Sequence, residues 1–231
     1  MGPGDAELLT LKAMRVLRAA PVVAYPAPLK GSGLARQIVE SVLSDGLYRI
    51  EIAMRMRFNL DRTSAQTAYD RGAAAIATHL AAGRDVAVLC EGDPLFFGSF
   101  AYILARLGDR FPVEIVPGVN SIAACSAVLQ QPFALLNDRV VIIPASRPAA
   151  EIEDALVKAE STAILKVGRH WDKVVRVLDR LDLRRQAWHI ERASQTGQQV
   201  RSLATVEATV ERSSTYFSMI LVYRRGERWL R

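Results

Sequence analysis

The sequence predicts an α/β protein of two domains, the first built on a mostly parallel sheet. Three observations carry that expectation. Short apolar runs alternate with segments of helical period from residue 22 to 116, the pattern of strands joined by crossover helices. Gly- or Pro-bearing turns follow several of these runs, where strand-to-helix connections need them. A break at Gln131-Pro132 precedes a second set of strands and helices. The boundary falls near residues 118 to 135, giving domains 1–120 and 121–231, and 231 residues suffice for a core in each.

The elements read in order. Gly2-Pro3-Gly4-Asp5 is a turn that ends a strand, yet only Met1 precedes it. A missing first strand should leave a neighbouring strand unpaired and the turn frayed or moved. Asp5 is placed to cap a helix whose apolar face is Leu8, Leu9, Leu11, Met14, Val16 and Leu17, stopping at Pro21. Strands are expected at 22–25, 48–54, 85–90 and 113–116, with helices at 33–43, 61–82 and 99–107. In the second half, helices are expected at 121–129, 150–159 and 173–181, and strands at 139–143, 163–167, 187–191 and 216–223. The stretch 198–223, which includes Val206, reads as an antiparallel hairpin or meander. Two α/β domains place a ligand cleft between them.

The net charge of +6 calls for an acidic partner. Lys and Arg are spread along the chain, and aromatics make up only 7% of it, so no stripe of interleaved cations and aromatics offers a track for nucleic acid. No apolar run is long enough to span a membrane, and no secretory signal is legible, which predicts a cytoplasmic protein without a membrane partner. Cys90 and Cys125 form no disulfide framework, and with His79, His170 and His189 scattered there is no metal-ligand spacing. Trp171 and Trp188 read as core.

Glu91-Gly92-Asp93-Pro94 directly follows an apolar strand and leads through Phe96, Phe97 and Gly98 into a helix. The carboxyl end of a strand is where open α/β sheets bind ligands. Asp93 is either a turn residue or a ligand contact. Pro117-Gly118-Val119-Asn120-Ser121 repeats the layout, with Asn120 or Ser121 either capping the next helix or facing a ligand. With residues 2–5 this makes three such turns, and none is a GxGxxG or P-loop pattern.

GPGD at 2–5, Tyr25-Pro26, CEGDPLFFGSF at 90–100, VPGVNS at 116–121, Lys166-Val167-Gly168 and Glu191-Arg192-Ala193 together resemble the S-adenosylmethionine-dependent tetrapyrrole methylases. The form CEGDPLFFGSF and the late run YFSMILV resemble the branch that methylates C20 of precorrin-2 in cobalamin biosynthesis. The resemblance runs the length of the chain. It implies two α/β domains in the tetrapyrrole methylase fold, a homodimer, and S-adenosylmethionine in an interdomain trough. It further implies cofactor contacts, mostly through backbone, from Pro3, Glu91, Gly92, Asp93, Phe96, Asn120, Ser121, Val167 and Ala193. Members of the family usually have an apolar strand before GPGD, and a proline where this chain has Ala6.

The implied reaction joins the sulfonium methyl to an electron-rich carbon of a reduced tetrapyrrole. Proximity and orientation then dominate catalysis. Glu91, Asp93 and Tyr25 are candidates for the proton that leaves afterwards, with water as the alternative. The polycarboxylate substrate answers the basic charge. Met54-Arg55-Met56-Arg57-Phe58 alternates apolar and basic residues, so it either presents guanidinium forks to carboxylates or is a strand edge with solvated arginines. Lys30, Arg36 and Arg192 are further cations of this kind. Competing readings are the cobalt-bearing form of the substrate, RNA methylation, and a non-catalytic tetrapyrrole-binding module.

Overall fold

Val22 to Tyr25 combine β-branched and aromatic side chains, which suit a strand covered on both faces. They open β1, Val22–Pro28, whose first six residues are buried. The computed structural model describes residues 1–44, 46–57, 62–205 and 217–224. Phe58, Asp61, Val206 and Tyr216, each part of an element expected above, lie outside the described residues. The chain divides into two units, Met1–Ser121 and Ile122–Arg231, each α/β.

In the first unit β1 lies between β2, Ile50–Met56, and β3, Val86–Val88, and pairs with both in parallel. The crossovers carry α2, Leu34–Ile38, α3, Glu40–Leu43, and α4, Arg62–Ala81. β1 runs on through Pro26 and Pro28, beyond the expected end at Tyr25. These prolines are tolerated because β3 pairs only with Val22 to Ala24, so one edge of β1 has no ladder to feed there. The single helix expected at 33–43 is two short pieces, broken where Val39 leaves helical geometry (φ −99°, ψ 13°).

Side chains alternate along β1, so Val23 and Tyr25 pack with Leu17, Val39 and Leu89 on one face. Ala24 joins Met54, Met56, Tyr69, Ile76 and Ile103 on the other.

Asp5 caps a short 3₁₀ turn at Ala6–Leu8 by accepting the Glu7 N–H at 2.8 Å. Thr10 then caps α1, Leu11–Ala19, by accepting from Ala13 at 3.1 Å. The last helix of this unit is α5, Phe100–Leu107.

Two expectations for this unit need correction. The Gly2–Asp5 turn is not frayed: the Gly2 carbonyl accepts the Gly92 N–H at 2.8 Å, and the Met1 ammonium donates to the carbonyls of Cys90 at 2.9 Å and Gly92 at 3.3 Å. These bonds fasten the turn to the chain leaving β3. Residues 113–116 form no strand, and among the described residues they make no backbone hydrogen bond to any neighbour. A strand exists only through a ladder, and among the described residues these four pair with none. The expected unpaired neighbour is present. β3 pairs with β1 alone among the described residues, and its Val-Ala-Val run is only half-buried, although apolar runs in parallel sheets are normally covered. A cavity of about 180 Å³ lies beside it, lined by Met1, Val86, Val88, Ile115 and Val116 among others.

The second unit holds a five-stranded sheet in the order β4-β5-β8-β6-β7. Its strands are β4, Val140–Pro144, β5, Ser161–Leu165, β6, Ala187–Glu191, β7, Gln199–Ser202, and β8, Ser218–Tyr223. β4 and β5 are parallel, and every pairing of β6, β7 and β8 is antiparallel. Three helices, α6, Ser121–Leu129, α7, Ala149–Lys158, and α8, Trp171–Arg180, lie along this half of the chain. The C-terminal stretch is no β7-β8 hairpin, because β8 inserts between β5 and β6. All six of its residues are buried, and so continuous an apolar run belongs at a sheet centre.

An extended apolar segment of about six residues, a normal strand length, fused ahead of Met1 should enter the groove beside β3 and pair with it. Burying this edge is expected to raise the melting temperature by several degrees, about 2–4 °C for each kcal/mol at this chain length. Thermal unfolding of the fused and unfused chains checks this, and an unchanged midpoint would show that the groove accepts no strand.

Candidate functional site

The three glycine-bearing turns singled out in the sequence meet in the first unit. Gly92 leaves β3 with a positive φ of +64°, a backbone state glycine enters without the Cβ penalty. Its N–H donates to Gly2 and forms an isolated antiparallel bridge. Gly118 packs against the same loop so closely that a Cβ there would lie 2.4 Å from the Gly92 carbonyl oxygen. At Gly92 the space is open, with Asn120 Cα and the Val119 carbonyl oxygen nearest at 3.9 Å. The result is a junction of three turns at which the atoms nearest Gly92 are backbone.

Asp93 holds two of these turns together. One carboxylate oxygen accepts the N–H groups of Leu95 at 2.9 Å and Phe96 at 3.0 Å, and the other accepts Gly118 at 3.0 Å. Desolvation pushes its pKa upward, but the three backbone donors outweigh that and hold it below the usual aspartate value. The Asp93 side chain thus does the work of a turn residue, one of the two readings the sequence offers. Gly98 permits the return of this loop, since a Cβ there would lie 2.4 Å from the Pro94 carbonyl oxygen. Phe97 beside it adopts φ 55°, and its ring meets Phe96 edge-on with both partly exposed.

The other first-unit residues fall around this junction or at the carboxyl ends of β1 and β2. Pro3 is buried beneath the first turn. Asn120 is half-buried, and Ser121, exposed, begins α6. Tyr25 is buried, and its hydroxyl donates to Glu51 at 2.6 Å. Burial first, and then that bond, push its pKa up to about 12. A phenol so strongly held as a donor is a poor proton acceptor at neutral pH. Arg36 of α2 donates to the other Glu51 oxygen at 2.9 Å and pairs with Glu40. Glu91 accepts the Ala35 N–H at 3.2 Å.

The alternation in β2 buries Met54 and Met56 and leaves Arg55 exposed, with Arg57 exposed just past the strand. Arg55 reaches the carbonyls of Pro28 at 3.0 Å and Gly31 at 2.9 Å, so it also holds the loop that carries exposed Lys30.

In the second unit, β5 and β6 both run antiparallel to β8, so their carboxyl ends share one edge of the sheet. Val167 and Ala193 lie just beyond these ends, and both side chains are buried in the unit's own cores, leaving backbone to face a ligand. Each follows or nearly follows a non-glycine residue in the left-handed region, Lys166 at φ 57° and Arg192 at φ 50°. Residues in this region are uncommon and cluster at functional sites. Ser218 at the start of β8 anchors the first of these turns, its carbonyl accepting Val167 N–H at 3.3 Å and its hydroxyl accepting Gly168 N–H at 3.1 Å. Sequence reasoning missed these backbone states. Gly168 was the one visible sign of a tight turn.

A family model described as Tetrapyrrole (Corrin/Porphyrin) Methylases matches residues 1–208. A Sinorhizobium sp protein named precorrin-2 C(20)-methyltransferase is 37% identical over 230 residues, covering 96% of this chain and 91% of that protein. The Salmonella typhimurium protein named cobalt-precorrin-2 C(20)-methyltransferase is 31% identical over 229 residues, covering 98% and 94%. Among solved structures, a uroporphyrin-III C-methyltransferase from Thermus thermophilus, complexed with S-adenyl homocysteine, shares the fold with a TM-score of 0.68. Its identity is 24%, over 96% of this chain and 94% of that one.

The lowered pKa of Asp93 fixes the sign of a pH effect. Its stabilising contribution is fully present above its unfolded value of about 4 and is lost as pH falls through the lower folded value. Asp93→Asn should lower the melting temperature at pH 7, and that deficit should shrink as the pH falls below about 4. Melting curves of both proteins across this range are the check. A deficit independent of pH would mean that the charge does not hold the turns.

Proposed function

We propose that this chain, which belongs to the tetrapyrrole (corrin/porphyrin) methylase family, transfers a methyl group from S-adenosylmethionine to C20 of precorrin-2. It is an S-adenosylmethionine-dependent C-methyltransferase of cobalamin biosynthesis. The observation that carries this reading is the 37% identity to a precorrin-2 C(20)-methyltransferase, sustained over nearly the whole of both chains.

The junction of turns around Gly92 fits the cofactor's needs. It offers backbone and an uncrowded glycine, and the Asp93 bonds hold its loops together. We assign the cofactor contacts to Pro3, Gly92, Asp93, Phe96, Asn120 and Ser121, with contacts through backbone alone from Glu91, Val167 and Ala193. When bound, S-adenosylmethionine supplies an electrophilic methyl on a good leaving group. The chain's own task is to hold the ring carbon in line with it, and such positioning can contribute roughly 7–11 kcal/mol.

The proton lost from the methylated carbon passes to water in this reading. Tyr25 is a donor held to Glu51, Asp93 has both oxygens on backbone N–H groups, and Glu91 is turned to Ala35. Lys30, Arg55 and Arg57 gather exposed positive charge at the ends of β1 and β2, which supports their binding the substrate's carboxylates. The metal-free substrate is favoured over the cobalt-bearing one because the more similar of the two relatives carries that name. The chain is further read as a homodimer, supported by exposed Leu11, Tyr48 and Leu136. Two free cysteines support a cytoplasmic setting.

Incubation with S-adenosylmethionine labelled with carbon-13 at the methyl, together with precorrin-2 or its cobalt form, tests the proposal by NMR of the product. The expected label sits at C20, with faster transfer to the metal-free substrate and a KM that rises with salt as charges are screened. A label at another ring carbon, or no transfer to either substrate, would refute it.

A further inference from the structure

Glu91 sits between the cofactor loop and the segment that follows β1, and what its carboxylate does there can be read from α2. That helix begins at Gly33, which offers no side chain to cap it. No other residue fits at 33, because a Cβ there would lie 1.9 Å from the Pro26 carbonyl oxygen and 3.3 Å from the Tyr25 ring. The first turn of a helix nevertheless exposes N–H groups that need an acceptor, and a carboxylate is the favoured one. Glu91 supplies it from 56 residues along the chain, accepting the Ala35 N–H at 3.2 Å.

The next residue of the same turn is Arg36, which grips Glu51 of β2, and Glu51 in turn holds the Tyr25 hydroxyl. The side chain that adjoins Gly92 is thus tied, through α2, to both parallel strands whose ends carry Lys30, Arg55 and Arg57.

We infer that Glu91 is a positioning residue that locks the substrate-side segment, residues 26–36, to the cofactor loop by capping α2, and that its carboxylate takes no part in proton transfer. This rests on the methyltransferase reading for its kinetic consequence, though not for its structural one. The cofactor loop keeps its own ties to Gly2 and Gly118 when the cap is lost. The penalty should therefore fall on the substrate rather than on the cofactor.

Three proteins decide it: the wild type, Glu91→Ala and Glu91→Gln, the last of which keeps an oxygen acceptor without a titrating group. In Glu91→Ala, amide exchange at Ala35 and Arg36 should quicken about tenfold, as expected when a bond to a charged acceptor is lost. The tetrapyrrole KM should rise by about the same factor, while S-adenosylhomocysteine affinity by calorimetry stays within about threefold, the loss being a local one. Glu91→Gln should restore slow exchange and most of the wild-type KM, with an unaltered pH–rate profile.

A Gln variant as impaired as Ala and missing one limb of the pH profile would make Glu91 a proton carrier and overturn the inference. So would loss of S-adenosylhomocysteine binding in both variants, which would put the Glu91 carboxylate itself on the cofactor, or exchange at Ala35 that ignores the Ala substitution. The exchange measurement needs no substrate, so it decides the capping role even if the methylation reading fails.

Discussion

The carboxylate of Asp93 is the interaction on which the first unit's loop architecture depends. A short loop leaving a strand has several N–H groups pointing inward and no ladder to receive them. Asp93 receives three, two from its own loop and one from Gly118 on a segment 25 residues away. Because the acceptor is charged, these bonds are stronger than neutral ones, and they fix the distance between the two turns. Gly118 then has to be glycine, since the approach to Gly92 leaves no room for a Cβ. The first turn joins through the Gly2–Gly92 bond, so three segments far apart in sequence meet at one place.

The logic of the second unit is similar, although the means differ. Its sheet ends at two left-handed residues, Lys166 and Arg192, and the small or apolar residues near them, Val167 and Ala193, are committed to the cores. A site assembled from backbone in this way, as proposed above, would specify shape more than side-chain chemistry. Exposed Lys30, Arg55 and Arg57 near the ends of β1 and β2 would add attraction for a polyanion, which salt would screen.

Much of this was legible in the sequence because missing side chains leave a mark. Gly92 and Gly118 stand out beside apolar runs, and the alternation in 54–57 already separates buried Met54 and Met56 from exposed Arg55 and Arg57. The span of β6 and that of α6 follow directly from their apolar runs and flanking breakers. Residues 113–116 have the composition of a strand and fail to be one, since β propensity acts only where a neighbour offers a ladder. The left-handed states of Lys166 and Arg192 leave no trace, as neither residue type prefers them. The partner of Glu91 is equally invisible, because Ala35 contributes only its backbone and lies 56 residues away.

In the function proposed here, the stitched turns around Gly92 are the cofactor's seat. Titrating the nitrogen-15-labelled chain with S-adenosylhomocysteine and following its amide resonances tests this directly. The amides of Gly2, Gly92, Asp93, Gly118 and Asn120 should move together with one saturation curve. Saturable shifts elsewhere, with these five unmoved, would contradict it.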